Sequence, residues 1–272
     1  MPELPEVQTI VRDLAPLVTG RRITQVQVLD PLLVRFPDRE EFARRLTGTK
    51  ITEISRRGKY IVISTDEELT WLIHLRMTGR LTPNLDAGER HLRASFTLED
   101  GQIIYYCDLR RFGDMWAWYP GEDARLGGYA LLGPEPLHQD FCPTWFGQVL
   151  KQRKAPIKGL LLDQKVVAGL GNIYVDEALF LAGIDPRRTG SSLTEEEQAR
   201  LCQAVRGVLG NAIEARGTTF RDYRTGLGDS GGFQFSLNVY GRGGQDCRAC
   251  GGELSRERIA GRTTVWCSRC QS

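Results

Sequence analysis

The sequence contains no long hydrophobic run, since no stretch approaches the 18 consecutive apolar residues of a membrane-spanning helix. Its first ten residues, MPELPEVQTI, carry acids where a signal peptide has basic residues and an apolar segment. It also has no evident internal repeat and no low-complexity segment. We therefore expect a cytoplasmic globular protein with no membrane partner.

The sequence has little excess of either charge, because 36 basic residues stand against 34 acidic residues and leave a net charge of +2. Total charge therefore does not indicate a nucleic-acid partner, and the placement of the charges must decide. Cysteine is scarce as well: there are seven, an odd number. In a reducing compartment, the two C-x-x-C pairs near the C-terminus favour a metal site over a disulfide framework.

The 272 residues exceed one minimal domain, and a composition of 41% hydrophobic and 26% charged residues is typical of globular chains. Apolar residues between Pro5 and Val18 recur at helical spacing, which predicts an amphipathic helix. Alternating β-branched and aromatic segments then predict antiparallel strands that close a sandwich or barrel. These strands are expected at 23–28, 59–65, 69–75, 93–98 and 103–107. A helix at Asp38–Leu46 is expected to be an insertion.

The second half of the chain has helical periodicity, with helices predicted at 143–153, 156–163, 172–182 and 194–216. Thr194 begins a capping box that ends at Glu197. The polar, glycine-rich segment 218–232 is longer than an ordinary connection and predicts a functional loop. We place the domain boundaries at 1–119, 120–141 (a linker), 142–238 and 239–272.

The C-terminal cysteines have the spacing of a metal site. Sixteen residues separate the pair Cys247 and Cys250 from the pair Cys267 and Cys270, which is typical of a four-cysteine zinc site. Two short strands at 253–259 and 262–266 would form a hairpin too small to persist without a metal. Four thiolates fill the tetrahedron, so we expect one structural zinc ion; redox-active or unpaired cysteines are the alternative.

Basic residues are concentrated in three places. Residues 44–59 hold six basic residues and one acid, which leaves a net charge of +5. A second cluster lies at 151–154, and six arginines stand against three acids from Arg242 to Ser272. Between two predicted helices, Gly169 and Gly171 permit positive φ and Asn172 is suited to cap the next helix, whose N-terminus favours an anion. For the C-terminal module and the glycine turn, a role in binding and a purely structural or solvated role are equally well supported. Basic segments such as 44–59 are more often only solvated surface, although the second cluster at 151–154 favours phosphate contact.

Pro2 stands at a position where its nitrogen can become a reactive nucleophile. Removal of Met1 leaves a secondary α-amine, whose ordinary pKa near 8 keeps part of it unprotonated and nucleophilic at neutral pH. Its iminium with a sugar carbon is an electron sink that promotes elimination of phosphate. Glu3 and Glu6 supply carboxylates for proton transfer. The simpler interpretation is that Pro2 and Pro5 only begin a helix.

Several motifs in order resemble bacterial formamidopyrimidine-DNA glycosylase over essentially the whole chain. They are Met-Pro-Glu-Leu-Pro-Glu-Val at the start, Arg57-Gly-Lys59-Tyr, His74-Leu-Arg-Met77-Thr-Gly, Asp108-Leu-Arg110-Arg-Phe112-Gly, Gly169-Leu-Gly-Asn172-Ile-Tyr, Val239-Tyr-Gly-Arg242, Gly261-Arg262-Thr-Thr and the terminal cysteines. The resemblance implies an α+β multidomain fold: a helix-capped antiparallel β-sandwich, a helix–two-turn–helix domain and a zinc ribbon. It implies a bifunctional glycosylase and abasic-site lyase that excises oxidised purines in base excision repair.

The resemblance also implies roles for individual residues. Pro2 would be the Schiff-base nucleophile and Glu3 the proton donor, while Lys59 and Arg262 would assist the first and second eliminations. Residues that would contact DNA are His91, Arg110, Arg153 and Asn172, together with Met77 and Phe112, which enter the base stack with Arg110. His74 is either a DNA contact or a structural histidine. The family commonly has glycine where this chain has Arg76.

The expected partner is double-stranded DNA with oxidised purines or abasic sites, bound by a monomer in the cytoplasm, at the nucleoid, without a small-molecule cofactor. Two alternatives stay open. One is the sister class that removes oxidised pyrimidines, whose opening is usually Pro-Glu-Gly-Pro. The other is a non-catalytic, zinc-dependent protein that binds damaged DNA and needs neither Pro2 nor Glu3.

Overall fold

The computed structural model describes residues 1–122 and 126–272 and divides into two units. The first unit comprises Met1–Ala130 and Ala215–Gly232, and the second comprises Leu131–Glu214 and Phe233–Ser272. The segment 215–232, which contains the whole glycine-rich loop, therefore belongs to the first unit although helices of the second unit precede it. The domain boundaries drawn from the sequence stay a prediction.

The first unit begins with helix α1 (Leu4–Val18), which confirms the amphipathic helix. Its apolar side is buried, with Val7 and Leu14 both fully inaccessible to solvent. The helix ends at Val18 with Thr19 as its C-cap, and Gly20 follows at φ +83, a conformation that glycine adopts without steric cost. The buried side of α1 packs on the core of the β-sheet region.

Two sheets follow α1, and the strands numbered in chain order are β1 (Ile23–Val28), β2 (Val34–Phe36), β3 (Ile51–Arg57), β4 (Tyr60–Thr65), β5 (Thr70–His74), β6 (Gly79–Thr82), β7 (Leu92–Leu98), β8 (Ile103–Asp108) and β9 (Asp114–Trp118). One sheet has the order β1-β7-β8-β6 and the other β2-β9-β5-β4-β3. Every neighbouring pair is antiparallel except β2 and β9, which are parallel. Residues of both sheets share one apolar core, which confirms the α+β class with an N-terminal sheet domain.

Helix α2 (Arg39–Leu46) corrects one expectation. Asp38 caps it by accepting the backbone N–H groups of Glu40 and Glu41, so the helix forms where the sequence predicts it. It is not an insertion, because Phe42 and Leu46 are fully buried and belong to the sheet core. Its eight residues are therefore part of the framework of the first unit.

The second unit contains four helices and a hairpin. The helices are α3 (Pro143–Leu150), α4 (Ile157–Leu162), α5 (Asn172–Ala182) and α6 (Glu195–Glu214), and the strands are β10 (Ser255–Ile259) and β11 (Arg262–Trp266). The capping box of α6 is confirmed: Glu197 N–H donates to Thr194 Oγ1 at 3.3 Å, and Thr194 N–H donates to Glu197 Oε2 at 2.8 Å. Among the described residues, no helix is both long and apolar enough to cross a membrane.

A buried ion pair joins the helices of this unit to its hairpin. Lys158 on α4 donates to Asp176 on α5 at 2.7 Å, and both side chains are almost fully buried. Lys158 also donates to Thr264 Oγ1 at 2.7 Å, and Val265 N–H donates to Asp176 at 3.2 Å. Burial raises the pKa of Asp176, and the nearby Lys158 opposes that shift. This network fixes β11 against α4 and α5.

Candidate active site and zinc centre

Pro2 and Glu3 are buried at the beginning of α1, and only 3% of Glu3 is exposed. Glu3 is the N-cap residue, and its N–H donates to Glu6 Oε2 at 2.8 Å. The carboxylate of Glu6, in the first helical turn, also lies at the positive end of the helix dipole. The first residues of the chain are thus held against a rigid helix end, with Met1 extending from it half exposed.

Glu6 joins this helix end to the glycine-rich loop. Its Oε1 accepts the N–H of Thr218 at 2.7 Å, and the carboxylate is only 2% exposed. The hydroxyl of Tyr223 donates to the carbonyl oxygens of Glu6, at 3.4 Å, and of Arg216, at 3.1 Å. Both oxygens of the Glu6 carboxylate therefore accept backbone N–H groups, which favours a positioning role for Glu6 over the proton transfer considered from the sequence.

Lys59 lies in the tight turn between β3 and β4 and is 6% exposed. Gly58 makes this turn possible by adopting φ +58. The neighbouring Arg56 donates to Gln8 Oε1 on α1 at 3.1 Å and to the Gly58 carbonyl at 3.0 Å. The turn that carries Lys59 is thereby attached to the same helix that begins beside Pro2.

His74 is buried at the end of β5, where its ring packs edge-on against Tyr60 with centroids 4.5 Å apart. Its Nδ1 accepts the N–H of Arg76 at 3.0 Å. Burial, together with the positive charges of Arg76 and Lys59, lowers the pKa of His74 to about 3. The ring is neutral at physiological pH, and its burial favours the structural interpretation over a DNA contact.

Met77, Arg110 and Phe112 project from two loops of the first unit, and all three are exposed. The guanidinium carbon of Arg110 lies 4.7 Å from the centroid of the Phe112 ring, a cation–π contact that keeps the two side chains together. His91 is half-buried and lines a cavity of about 150 Å³ with Asp222 of the glycine-rich loop. Exposed apolar tips beside a cation are suited to enter a base stack.

The glycine turn of the second unit is built differently from the expectation. Gly169 has φ +88, but Gly171 has φ −134 and is itself the N-cap residue of α5. Asn172 is therefore the first residue of the helix and does not cap it. Its side-chain Nδ2 donates to the Thr263 carbonyl at 2.9 Å, while its Oδ1 has no hydrogen-bond partner among the described residues.

A cavity of about 230 Å³ lies beside Asn172 in the second unit. Asp176, Thr263 and Val265 contribute to its wall, as do Tyr240 and Arg256. Neither Tyr240 nor Arg256 was predicted as a functional residue from the sequence, although Tyr240 stands inside one of the motifs that carry the resemblance. An arginine, a tyrosine and an asparagine around one opening are suited to hold a phosphate group.

The remaining cationic residues differ in how available their charges are to bind phosphate groups. Arg153 and Arg262 are exposed, Arg262 at the first position of β11. In the basic segment 44–59, Arg44 and Arg45 both pair with Glu41, which lies just outside that segment. Ion pairing within α2 therefore reduces the charge that this segment offers to phosphates.

The four cysteines of the C-terminal module converge as the spacing predicts. Their sulfur atoms all lie within 4.8 Å of one another, with Cys247 and Cys270 at 3.9 Å and Cys250 and Cys267 at 3.5 Å. Tetrahedral zinc with bonds of about 2.3 Å separates its sulfur ligands by about 3.8 Å, so the set fits one structural zinc ion. Phe180 of α5 packs with Leu254 and Val265 beside the cysteines, which attaches the module to the helices.

Three family models match successive parts of the chain. Residues 1–115 match the formamidopyrimidine-DNA glycosylase N-terminal domain, and residues 132–224 match the H2TH domain of the same enzyme. Residues 244–272 match the zinc finger found in FPG and IleRS. The formamidopyrimidine-DNA glycosylase of Heliobacterium modesticaldum is 48% identical to this chain, and the alignment covers 100% of both chains.

Comparison with solved structures also finds proteins of the formamidopyrimidine-DNA glycosylase family. The MutM (Fpg) protein of Thermus thermophilus is 42% identical with a TM-score of 0.90, over 99% of this chain and 98% of the other. A mutant of Lactococcus lactis FPG, solved in complex with DNA containing Fapy-dG, is 37% identical with a TM-score of 0.91 over 100% of both chains. Fold and matches together define a DNA glycosylase of base excision repair. The chain belongs to the formamidopyrimidine-DNA glycosylase family.

Proposed function

We propose that this protein excises oxidised purines, namely 8-oxoguanine and formamidopyrimidines, from double-stranded DNA and then nicks the strand at the abasic site. The observation that carries the proposal is the buried, capped beginning of α1, where Pro2 adjoins Glu3. Once Met1 is removed, the Pro2 nitrogen becomes a secondary amine on a rigid support. A nucleophile held in this way reacts far faster than one on a mobile terminus.

The first half of the reaction replaces the base by the enzyme. The Pro2 nitrogen attacks C1′ of the sugar, and the bond from C1′ to the base breaks while the base takes up a proton. The C1′–O4′ bond then opens as the nitrogen lone pair forms the iminium. Glu3 gives its proton to O4′, which is the role of a general acid next to the bond that breaks.

The second half cuts the strand. The iminium withdraws electrons from C2′, so that loss of a C2′ proton expels the phosphate at C3′. A corresponding elimination then expels the phosphate at C5′, and hydrolysis of the iminium regenerates the amine. Lys59, buried beside α1, assists the first elimination, and Arg262 assists the second as a cation for phosphate.

Recognition requires the damaged nucleotide to leave the stack, which costs a few kcal/mol. Met77 and Phe112 fill the space that it leaves, and the donors of Arg110 suit the acceptors of the cytosine left behind. His91, Arg153 and Asn172 hold the phosphates. The four C-terminal cysteines would hold zinc, which would stabilise the hairpin that presents Arg262. The enzyme works as a monomer in the cytoplasm, at the nucleoid.

The test has two parts. Sodium borohydride should covalently trap the processed protein on DNA with 8-oxoguanine opposite cytosine, and mass spectrometry should place the adduct on the peptide that begins with Pro2. Strand cleavage without an adduct would contradict the Schiff base. The same protein should cut this duplex much faster than one with thymine glycol, whereas the reverse order would assign it to the oxidised-pyrimidine class.

A further inference from the structure

Two loops of the first unit carry the three side chains proposed to enter DNA. The methionine loop, residues 75–78, joins β5 to β6 and presents Met77, while the arginine loop, residues 109–113, joins β8 to β9 and presents Arg110 and Phe112. The residues on either side of the arginine loop are Asp108 and Asp114, which are 1% and 3% exposed. Each of these buried carboxylates bonds to the methionine loop.

Asp108 holds the residue after Met77. Its Oδ1 accepts the hydroxyl of Thr78 at 2.5 Å and the N–H of Arg110 at 3.2 Å, while its Oδ2 accepts the N–H of Gly113 at 2.8 Å. The N–H of Arg110 also donates to Thr78 Oγ1 at 3.0 Å. One carboxylate and one hydroxyl thus connect both loops.

Asp114 holds the residue before Met77. Its Oδ2 accepts Nε of Arg76 at 2.8 Å, and its Oδ1 accepts Nε of Arg35 at 2.5 Å. Arg76 has φ +53, in the left-handed region where glycine is at ease and a side chain is strained. The ion pair with a buried carboxylate compensates for this strain. Met77 therefore has an anchored residue on each side.

The side chain of Tyr106 packs close to the backbone of both Gly79 and Gly113. A Cβ atom at Gly79 would meet the Tyr106 hydroxyl at 2.5 Å, and one at Gly113 would meet it at 1.6 Å. The phenol therefore lies close to the backbone of the arginine loop and to that of Gly79, the residue that directly follows the methionine loop. Burial and the charges of Asp108 and Asp114 raise the pKa of Tyr106 well above its ordinary value. The phenol is therefore neutral at physiological pH.

We propose that Asp108 and Asp114 lock the methionine and arginine loops into one block, so that Met77, Arg110 and Phe112 enter the base stack together. Thr78 and Arg76 are the positioning residues of this block and do not contact the reacting atoms. The inference rests on the proposed function, because it needs these three side chains to act on DNA. It assigns an anchoring role to Arg76, whose guanidinium pairs with the buried carboxylate of Asp114.

Two substitutions remove the anchors with little other change. Thr78→Val keeps the shape of the side chain and loses the hydroxyl, while Thr78→Ser restores the hydroxyl and serves as the matched control. Arg76→Gly accepts the positive φ and loses the ion pair with Asp114, together with the positive charge that Arg76 places near His74 and Tyr60. A thermal unfolding measurement on each variant checks that the protein is folded. The substrate is a duplex with 8-oxoguanine opposite cytosine and 2-aminopurine as the neighbouring base, whose fluorescence rises when the stack opens.

We expect Thr78→Val and Arg76→Gly each to slow the fluorescence rise and the single-turnover excision about tenfold, because small displacements of a positioned group have large rate effects. Thr78→Ser should stay within about twofold of the unaltered protein. Borohydride trapping on a single-stranded abasic site should not change, since no base stack has to be opened there. An equal loss of trapping would contradict the inference by placing these contacts in the catalytic centre.

Met77→Ala separates this inference from the proposed function. If Met77→Ala slows the opening of the duplex while Thr78→Val and Arg76→Gly leave it unchanged, the locked block is wrong and the role of Met77 stands. If Met77→Ala also opens and excises at the original rate, the proposed insertion into the stack is itself wrong. Slow opening in all three variants with normal trapping supports the inference.

Discussion

The backbone N–H of Thr218 donates a hydrogen bond of 2.7 Å to Oε1 of Glu6, and the other oxygen of that carboxylate accepts the N–H of Glu3. A single buried side chain therefore connects the glycine-rich loop to the residue that follows Pro2. The glycine-rich loop is therefore anchored at the end of α1 that adjoins Pro2. The loop and the proposed nucleophile share one support.

Glu6→Gln tests this support. A glutamine offers one acceptor and turns an N–H donor toward a backbone N–H, which leaves a buried donor unsatisfied at a cost of about 1–3 kcal/mol. We expect the free energy of unfolding to fall by that amount and the single-turnover excision rate to fall about tenfold. Urea denaturation and quenched-flow kinetics measure the two quantities. The control is Glu67→Gln at an exposed turn, and equal behaviour of both variants would remove the positioning role of Glu6.

His74 should make the stability of the protein depend on pH. The unfolded ring binds a proton below about pH 6.5, whereas the folded ring has a pKa of about 3. The unfolded state therefore binds more protons in this window, and the free energy of unfolding falls as the pH drops from about 6.5 toward 3. His74→Asn keeps an acceptor for the Arg76 N–H and does not titrate. Its stability should decline less steeply over this range in urea titrations, and an unchanged slope would contradict the burial of a neutral ring.

Lys158→Met should destabilise the second unit by about 3–5 kcal/mol, because it leaves the Asp176 carboxylate buried without its cation. The decrease in the free energy of unfolding should be smaller at acidic pH, where Asp176 is protonated and neutral. The double variant Lys158→Met with Asp176→Leu should recover much of the stability, since no buried charge remains. Chemical denaturation of the three proteins decides this. A double variant as unstable as the single one would show that the charge is not the cause.

Cys250→Ser or Cys267→Ser should release the zinc ion and unfold the C-terminal hairpin. Arg262 on β11 would then lose its position, so the affinity for lesion DNA should fall more than the stability of the helices. Metal analysis, a DNA-binding titration and circular dichroism measure the three effects. Unchanged affinity in a variant shown to lack zinc would mean that the hairpin does not bind DNA.

The elements that were predictable from the sequence are those that depend on neighbours along the chain. Helix α1 and the boundaries of α5 follow from apolar spacing, and the box from Thr194 to Glu197 marks the beginning of α6. The cysteine spacing encodes the metal site in the same local way. Periodicity and capping express the preferences of one segment, and these survive in the folded protein.

Long-range relationships were not predictable. Nothing near Val34–Phe36 signals that this strand lies parallel to β9, and nothing in Asp38–Leu46 signals that Phe42 enters the sheet core. The partnership of Thr78 with Asp108 joins residues 30 positions apart through one hydroxyl. Such pairs depend on how the sheets are assembled, so the motifs identified the right segments without showing which residues support them.

The most direct test of Pro2 as the nucleophile compares two forms of the protein, one beginning at Pro2 and one that retains Met1, each verified by mass spectrometry. Retained Met1 makes the Pro2 nitrogen an amide, whose lone pair is delocalised into the carbonyl and is not nucleophilic. The surfaces proposed to bind DNA are the same in both forms. We predict nearly equal affinity for lesion DNA, with borohydride trapping and rapid single-turnover excision only in the form that begins at Pro2. Equal excision by both forms would show that another group, such as Lys59, is the nucleophile.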